Sequence, residues 1–498
     1  MGVFVGNWTL EAAETVIQNR EPARATWAIL ATLVDKSLIE SEAVASEDRH
    51  YRLLEPIREF ALELLRGSEE LEAAQDRHAQ YYVALAERAS AVGYGPGEEA
   101  WFRRLDAEYE NLRAAFRWAV QQRKGELSLR FTAALLDFDF WFFRGNLREV
   151  QRWLQEARSL DSPVSPVLQV KALYGEGSVT VLLGDYPRAR ALLQDASALA
   201  ESIREPVLVA RATLLLGALR TLQDETRDAQ AVFESALALS PKDGYPADIA
   251  ADALIYLGQM SVLERDLERA DVMFAKCLGL ARSIDSARIE VRALINVALL
   301  KLKRRNITEA ADAASKFIAL ARAMESRRAF TWAVLIAALA NGGRGDFDRA
   351  ARLLGAVDAS SEWGDVVSPI FRVVAASTDL HARARKELGE AAYHAAVAAG
   401  RSMSVGQITG LARESLENAT ASGAHGTAGD PGAARPLLTA REPAVLRLIS
   451  EGLPTKQIAT ALSISERTVK THIASVMNKL GVDNRAHAAV NAIQRGLL

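Results

Sequence analysis

Near the C-terminus, polar side chains lie opposite an apolar stripe at the spacing of an α-helix. The apolar stripe consists of Val469, Ile473, Val476 and Leu480. With an advance of about 100° per residue, the opposite face carries Arg467, Thr471, Ala474 and Asn478, flanked by Lys470 and Ser475. Donor and small groups on one face suit hydrogen bonds to base edges and phosphates. The pattern predicts a helix that reads the major groove of DNA, although periodicity alone is also compatible with a solvated surface helix.

The elements around this helix form a compact four-helix pattern. Thr439 and Glu442 have the spacing of a capping box, which begins a first helix, and Gly452-Leu453-Pro454 ends it. A short second helix is predicted over Lys456–Leu462, with Thr455 as its cap. Ser465 caps the third helix, which runs to Leu480. Two helices joined by a tight turn are typical of a helix-turn-helix.

In order, these segments resemble the LuxR-type DNA-binding domain: LTAREPAVL, EGLPTKQIA, SISERTVKTHI, KLGV and a last helix after Asn484-Arg485. The full ordered match favours DNA reading over a plain surface helix. The resemblance implies base contacts from Lys470, Thr471 and Ala474, with base choice at the small Ala474 left open. The predicted DNA-contacting residues are Thr455, Lys456, Ser465, Arg467, Thr468, Lys470, Thr471, Ala474, Ser475, Asn478 and Lys479.

The same resemblance predicts the partners of this segment. They are double-stranded promoter DNA, a second copy of the chain paired through the last helix at about residues 485–494, and RNA polymerase as a further candidate. Residues 437–498 contain eight Lys and Arg against four Asp and Glu, so they carry +4 while the remaining chain carries −7 of the total of −3. The basic excess lies where phosphates are expected. Residues 418–436, rich in Gly, Ala, Ser and Thr, predict a flexible linker spanning roughly 24 Å.

The middle of the chain contains a repeat of about 40 residues. Small residues recur at Ala189, Ala229, Ala270, Ala310 and Ala350, and twelve residues earlier at Gly177, Gly217, Gly258, Ala298 and Ala338. Four residues after the later alanine, a bulky side chain is expected to fill the gap between two helices: Leu193, Phe233, Phe274 and Leu354, whereas Ala314 departs from the rule. The pattern resembles tetratricopeptide repeats, which stack into a superhelix with a concave groove. That groove is predicted to hold a protein, peptide or small-molecule effector.

The first residues carry a second resemblance. GNWTLEAAETV, WAILATLVDKSLI and HYRLLEPIREFALELL resemble the winged-helix module that follows the ATPase core of STAND-type regulators. His50–Leu54 alternates like a strand before a helix begun at Pro56. A structural role is favoured over DNA binding for this module. No GxxxxGK[ST] phosphate loop occurs, so we expect an ATPase-less remnant, a split gene product or a mispredicted start, with Val3, Phe4 and Trp8 partly uncovered.

Enzymatic chemistry finds no support in the sequence. The seven histidines and one cysteine show no metal-ligand spacing, and neither a GxSxG elbow nor a Gly-rich dinucleotide turn occurs. Cys277 is predicted to be a small buried filler. We therefore expect no enzyme, no catalytic residue, no cofactor and no metal. With no signal peptide and no apolar stretch long enough for a bilayer, a cytoplasmic bacterial protein without membrane contact is expected.

The predicted fold class is mainly α, a tetratricopeptide-like superhelix between a winged-helix-like module and a helix-turn-helix domain. The predicted domains are 1–66, the truncated winged-helix-like module; 67–125, connecting helices; 126–417, repeats; 418–436, linker; and 437–498, the LuxR-type domain. The predicted function is transcription regulation through promoter DNA, with the repeat body as sensor. The alternatives are an interaction scaffold and a fragment that works with a separate ATPase subunit.

Overall fold

A computed structural model describes residues 1–17, 26–43, 49–221, 226–238, 245–324, 326–359, 380–424, 448, 455–462, 469 and 473. The chain divides into two units, Met1–Ser422 and Gly423–Leu498. Within the described residues there are 23 helices and one small sheet. The expected mainly α fold class is therefore confirmed.

The first unit begins with a small mixed module. Its helices are α1 (Leu10–Ile17), α2 (Thr26–Asp35) and α3 (Glu55–Arg66). Its strands are β1 (Asn7–Thr9), β2 (Ile39–Ala43) and β3 (Arg49–Leu53), in the order β1-β3-β2 with both pairings antiparallel. Proline in the first turn of α3 fits a position where its missing N–H is not needed. The strand and helix expected around His50–Pro56 are confirmed.

The expectation that the first residues are partly uncovered is wrong. Phe4 and Trp8 are fully buried and Val3 nearly so. The rings of Phe4 and Trp8 stack with centroids 5.0 Å apart, and the edge of Phe4 meets His78 on the following helix. Asn111 then ties the segment down, since it accepts from the Val5 N–H at 2.7 Å. The connecting helices cover the apolar residues that the module itself leaves bare.

Helices then continue through the rest of the unit. The helices before the hairpins, called the connecting helices from here on and reaching beyond the predicted segment 67–125, are α4 (Leu71–Val92), α5 (Glu98–Ala107), α6 (Tyr109–Gln121), α7 (Gly125–Asp137), α8 (Phe140–Arg144) and α9 (Leu147–Ser159). Five hairpins follow: α10 (Pro166–Leu183) with α11 (Tyr186–Ser202), α12 (Pro206–Thr221) with α13 (Thr226–Ala238), α14 (Ala247–Leu263) with α15 (Leu267–Ser283), α16 (Ala287–Lys303) with α17 (Ile307–Ala323), and α18 (Arg327–Gly343) with α19 (Phe347–Ala359). The unit ends with α20 (Leu380–Leu388), α21 (Glu390–Arg401) and α22 (Val405–Ala424).

The last helix corrects the start of the predicted linker. Residues 418–424 continue α22 instead of beginning a flexible segment. Ala419 is buried there, and its carbonyl accepts a hydrogen bond from the Thr308 hydroxyl at 3.5 Å. Alanine favours helix wherever one face finds a packing partner, and α22 has one. Residues 425–436, the remainder of the predicted linker, lie outside the described residues.

Within each of the first three hairpins, a small residue on the first helix faces a bulky residue on the second. A Cβ atom built on Gly177 would lie 2.8 Å from Leu193, one on Gly217 would lie 2.8 Å from the Phe233 ring, and one on Gly258 would lie 2.4 Å from the Phe274 ring. These contacts confirm the predicted pairs in the first three hairpins. The second helices of the first and third hairpins begin alike, because Asp185 and Asp266 accept from the backbone N–H three residues later.

This packing predicts a specific loss of stability. Gly258→Ala is expected to lower the free energy of unfolding by about 1–3 kcal/mol, because Phe274 is buried and its ring must move. The matched control is Gly279→Ala on α15, where nothing lies within 4 Å of the added carbon, so helix propensity should stabilise it by about 0.4–1 kcal/mol. Urea titration of both variants measures the difference. Equal stabilisation by the two alanines would contradict the tight contact.

Hydrogen bonds and a buried ion pair join the connecting helices to the later hairpins of the superhelix. Arg288 at the start of α16 is completely buried and bonds Glu98 at the start of α5, with Nε 2.8 Å from Oε2. The Arg288 guanidinium also donates to the Phe138 carbonyl at 2.5 Å and to the Gly93 carbonyl. One hairpin further on, the Ser326 hydroxyl donates to the Phe143 carbonyl at 2.7 Å. These bonds join the connecting helices to the fourth and fifth hairpins, a link called the ring closure below.

Candidate functional sites

The described part of the second unit is a small packed core around helix α23 (Thr455–Ala461). Ile458 and Val469 are fully buried and Ala459 nearly so, and Leu448, Leu462 and Ile473 pack against them. Helix α23 begins one residue earlier than predicted, which is within the usual variation of helix ends. Val469 and Ile473 are helical and lie in or against this core. The apolar stripe on the predicted groove-reading helix is therefore confirmed at these two positions.

Most of the predicted DNA-contacting residues lie outside the part of the chain that the structure describes. Thr455 is the first residue of α23 and is half-buried, and Lys456 follows it in the same helix. The residues outside the described ranges are Ser465, Arg467, Thr468, Lys470, Thr471, Ala474, Ser475, Asn478 and Lys479. The capping pair Thr439 and Glu442 and the predicted pairing helix at 485–494 also lie outside them.

A second candidate site is a cavity of about 220 Å³ on the concave side of the first unit. One wall comes from the first helices of the hairpins: Tyr174, Arg211, Asp248, Asp252, Tyr256, Gln259, Arg292, Asn296 and Trp332. The opposite wall comes from the connecting helices and the turns between them: Tyr94, Asp137, Asp139, Trp141 and Phe142. Because Arg288 bonds Gly93 and Phe138, the ring closure holds this second wall in place.

Two arginines bridge the walls of the cavity. Arg211 lies between Asp248, 2.9 Å away, and Asp137, 3.3 Å away. Arg292 pairs with Asp252 on the adjacent helix and lies 3.9 Å from Asp139 across the cavity. Each guanidinium is thus shared between two carboxylates. Lys171 is a third cation of this cluster and the second at Asp137, with its amino group 2.6 Å from the carboxylate.

The buried setting shifts the ionisation of several cavity groups. Burial disfavours the charged guanidinium of Arg211, but the carboxylates of Asp248 and Asp137 outweigh this and raise its pKa. Burial raises the pKa of Asp248, against the opposing effect of Arg211. Burial also raises the pKa of Tyr174 to about 12. At neutral pH Arg211 therefore stays charged and the Tyr174 phenol stays protonated.

The cavity residues were not predicted from the sequence, although a positional signal for them exists. Six residues before each small residue of the repeat stand, in order, Lys171, Arg211, Asp252, Arg292 and Trp332. Four of these five line the cavity, and Lys171 bonds one of its carboxylates. Charged residues at a fixed position on otherwise apolar first helices mark the concave face. The connecting residues Tyr94, Asp137 and Asp139 carry no comparable signal.

Other expectations concern chemistry elsewhere in the described part of the chain. Cys277 is fully buried, and burial raises its pKa to about 12, so the prediction of a buried filler is confirmed. Among the described residues no group of three or more His, Cys, Asp and Glu side chains is placed to hold a metal ion. Within the same ranges, none of the helices combines the length and apolar character needed to cross a bilayer.

Both ends of the chain match models of known protein families. Residues 436–492 match the model of bacterial regulatory proteins of the luxR family, and residues 1–66 match a winged helix-turn-helix domain. HTH-type transcriptional regulators of Mycobacterium bovis and Mycobacterium tuberculosis are 30% identical over 223 residues, which are 43% of this chain and 25% of each relative. The chain thus spans about a quarter of the length of these mycobacterial relatives.

Solved structures show a more distant likeness. A Rap protein complexed with competence and sporulation factor has a TM-score of 0.44 and 13% identity, over 70% of this chain and 99% of that one. A STAND protein with a tetratricopeptide repeat sensor from Pyrococcus horikoshii has a TM-score of 0.37 and 14% identity, over 79% of this chain and 61% of that one. At such scores the likeness carries no argument about ligands.

A short relative decides the family. The spore germination protein GerE of Bacillus subtilis is 47% identical over 64 residues, which are 13% of this chain and 86% of that protein. The transcriptional regulatory protein YdfI of the same organism is 48% identical over 61 residues, 12% of this chain and 29% of that protein. With its C-terminal segment matching both a family model and nearly all of a family member, the chain belongs to the luxR family of bacterial regulatory proteins.

Proposed function

We propose that the protein is a transcriptional regulator whose C-terminal unit binds double-stranded promoter DNA in the major groove. Membership in the luxR family is the observation that carries this proposal. The packing of Val469 and Ile473 supports it, because the predicted apolar stripe lies in or against the core at these two positions, as expected for a helix whose predicted opposite face is left for DNA. That face carries Arg467, Thr471 and Ala474.

The groove face is assigned by role. Lys470, Thr471 and Ala474 contact base edges, while Thr455 and Ser465, at the starts of helices, hold phosphates. The remaining proposed contacts are Lys456, Arg467, Thr468, Ser475, Asn478 and Lys479. Two copies paired through the last helix would double the phosphate contacts, which strengthens binding by a module with few basic residues. RNA polymerase is the further partner that an activator requires.

The repeat body acts as the sensor in this proposal. The cavity is the site with the strongest support, because charged and aromatic side chains from all five hairpins and from the connecting helices converge there. A ligand that bridges both walls would favour the closed ring, and differential affinity for the two states is what any effector needs. We place the protein in the cytoplasm, where it meets DNA, and assign it no enzymatic step.

Selection from genomic DNA tests the proposal. Full-length protein is expected to enrich a short two-fold motif at near-physiological salt, as read by sequencing. The matched control is Lys470→Ala/Thr471→Ala, which should lose the motif because base contacts are removed while the core residues Val469 and Ile473 stay.

Two other outcomes would favour other functions. No enrichment with the parent protein would support an interaction scaffold, or a fragment that needs a separate ATPase subunit. If the double substitution left the enrichment unchanged, the DNA contact would have to lie elsewhere than on the proposed face. In that case the winged-helix domain at residues 1–66 becomes the next candidate.

A further inference from the structure

Some polar groups of the cavity have two partners, whereas others have no hydrogen-bond partner. Both arginines on its wall already pair with two carboxylates each. In contrast, Asp248 is 94% buried, yet its Oδ1 has no hydrogen-bond partner while Oδ2 accepts from Arg211. Gln259 donates its amide to Asn296 at 2.9 Å, whereas its own Oε1 has no partner. Two acceptor oxygens without a partner thus belong to side chains that line the cavity, beside arginines that are already paired.

The side chains that line the cavity carry a net negative charge, and their oxygens without a partner are hydrogen-bond acceptors. Four carboxylates line the cavity, Asp137, Asp139, Asp248 and Asp252, against the two guanidinium groups of Arg211 and Arg292. Even with Lys171 paired to Asp137, the wall keeps one net negative charge. A carboxylate buried with an empty acceptor position is costly until a donor reaches it. An anionic ligand would add to this negative charge, whereas a cation would balance it.

The remaining surface of the cavity is aromatic. Tyr94, Trp141, Phe142, Tyr174, Tyr256 and Trp332 contribute rings to its lining. Aromatic faces attract organic cations and also bury apolar groups. One unpartnered donor, the indole N–H of Trp141, gives a neutral carbonyl a place as well. At about 220 Å³ the cavity exceeds the roughly 150 Å³ that admits benzene, so a ring with a short chain fits.

We propose that this cavity binds an organic ammonium compound with an apolar body, its N–H donors directed to Asp248 and Gln259. The free amino terminus of a peptide and a small free amine share this chemistry. The inference names the ligand class for the proposed sensing role. It rests on the proposed function only where ligand binding is said to change DNA binding, since ligand binding itself can be measured without DNA. Neither the family match nor the winged-helix match covers any of these residues.

Calorimetry on the full chain tests the proposal with four probes. Phenethylammonium and phenylalanyl-alanine amide carry the ammonium group, and their neutral counterparts are 2-phenylethanol and the N-acetylated peptide. At least one ammonium probe is expected to bind at least tenfold more tightly than its neutral counterpart. The tighter of the two identifies the source as a free amine or a peptide terminus. Equal binding of charged and neutral probes, or binding of neither ammonium probe at millimolar concentration, would overturn the proposal.

Substitutions locate the site. Asp248→Asn keeps the shape but removes the charge, and should weaken the bound ammonium probe at least tenfold, while Arg211 retains Asp137. Gln259→Met removes the second acceptor and should weaken binding several-fold, which provides a test should Asp248→Asn fold poorly. The control is Asp312→Asn on the exposed face of α17, where the carboxylate pairs with Lys316 at 2.6 Å. Unchanged affinity in both cavity variants would refute the assignment.

Measuring the affinity for DNA with and without the ammonium probe separates this inference from the sensing role. If the ammonium probe binds the cavity and also shifts the affinity for the selected promoter motif, both proposals stand. Binding without any shift in DNA affinity would keep the ligand assignment and overturn the sensor. Loss of DNA binding by the parent protein, with calorimetric binding intact, would overturn the regulator and leave the ammonium site supported.

Discussion

Lys470→Ala is expected to weaken binding of the full chain to its selected promoter motif by about 1–3 kcal/mol, roughly 5- to 150-fold. A lysine that donates to a base edge loses that bond and its discrimination against the wrong base. The same substitution should cost far less on a scrambled duplex, where no specific base contact exists. Fluorescence titration of both duplexes at one fixed salt concentration measures the two losses.

The contrast between the duplexes identifies the kind of contact. Equal losses on selected and scrambled DNA would show that Lys470 binds a phosphate, and the salt slope would then fall by about one unit. Lys316→Ala is the matched control, because this lysine lies on the exposed side of α17 in the first unit, where it bonds Asp312. It should leave both affinities unchanged. A similar loss in the control would point to a general effect of charge rather than a groove contact.

The repeat architecture was predictable because its determinants are local. Gly217 and Phe233 lie in one hairpin, sixteen residues apart, so their contact follows from helix periodicity and a short turn. The buried positions of Val469 and Ile473 follow in the same way from a 3.6-residue period. In such cases the side chains that touch are set by the sequence spacing within one supersecondary unit.

The meeting of the two cavity walls was not predictable, for the opposite reason. Its walls come from residues separated by more than a hundred positions, such as Asp139 and Arg292, which meet only because the superhelix closes. The error about Val3, Phe4 and Trp8 has the same origin, since the helices that cover them include His78 and lie beyond the module itself. Sequence periodicity gives the face of a helix but not which distant helix covers it.

Glu98→Gln is expected to lower the stability of the first unit strongly. The carboxylate and the Arg288 guanidinium are 1% and 0% exposed, and removing one partner leaves a buried charge without compensation. Such losses cost about 3–5 kcal/mol. The Ser286 hydroxyl and the Arg288 backbone N–H also donate to Glu98, so the start of α16 loses order as well. Urea unfolding followed by tryptophan fluorescence measures the change.

A comparison of Glu98→Gln with Glu268→Gln separates the effect of burial from the effect of losing a charge. Glu268 pairs with Arg304 at 2.9 Å, nearly the same distance as Glu98 from Arg288, but the Glu268 side chain is 88% exposed. Glu268→Gln should therefore change the free energy of unfolding by no more than about 1 kcal/mol. Similar losses in the two variants would mean that Glu98 contributes no more than a surface ion pair does.

The same substitution connects stability to the cavity. Arg288 holds the carbonyls of Gly93 and Phe138, which flank the wall residues Tyr94 and Asp139. With Glu98 replaced, this wall is expected to open, so binding of the ammonium probe should weaken at temperatures where the variant is still folded. Glu268→Gln should bind the probe like the parent protein. Retained affinity in folded Glu98→Gln would show that the ring closure stabilises the unit without shaping the ligand site.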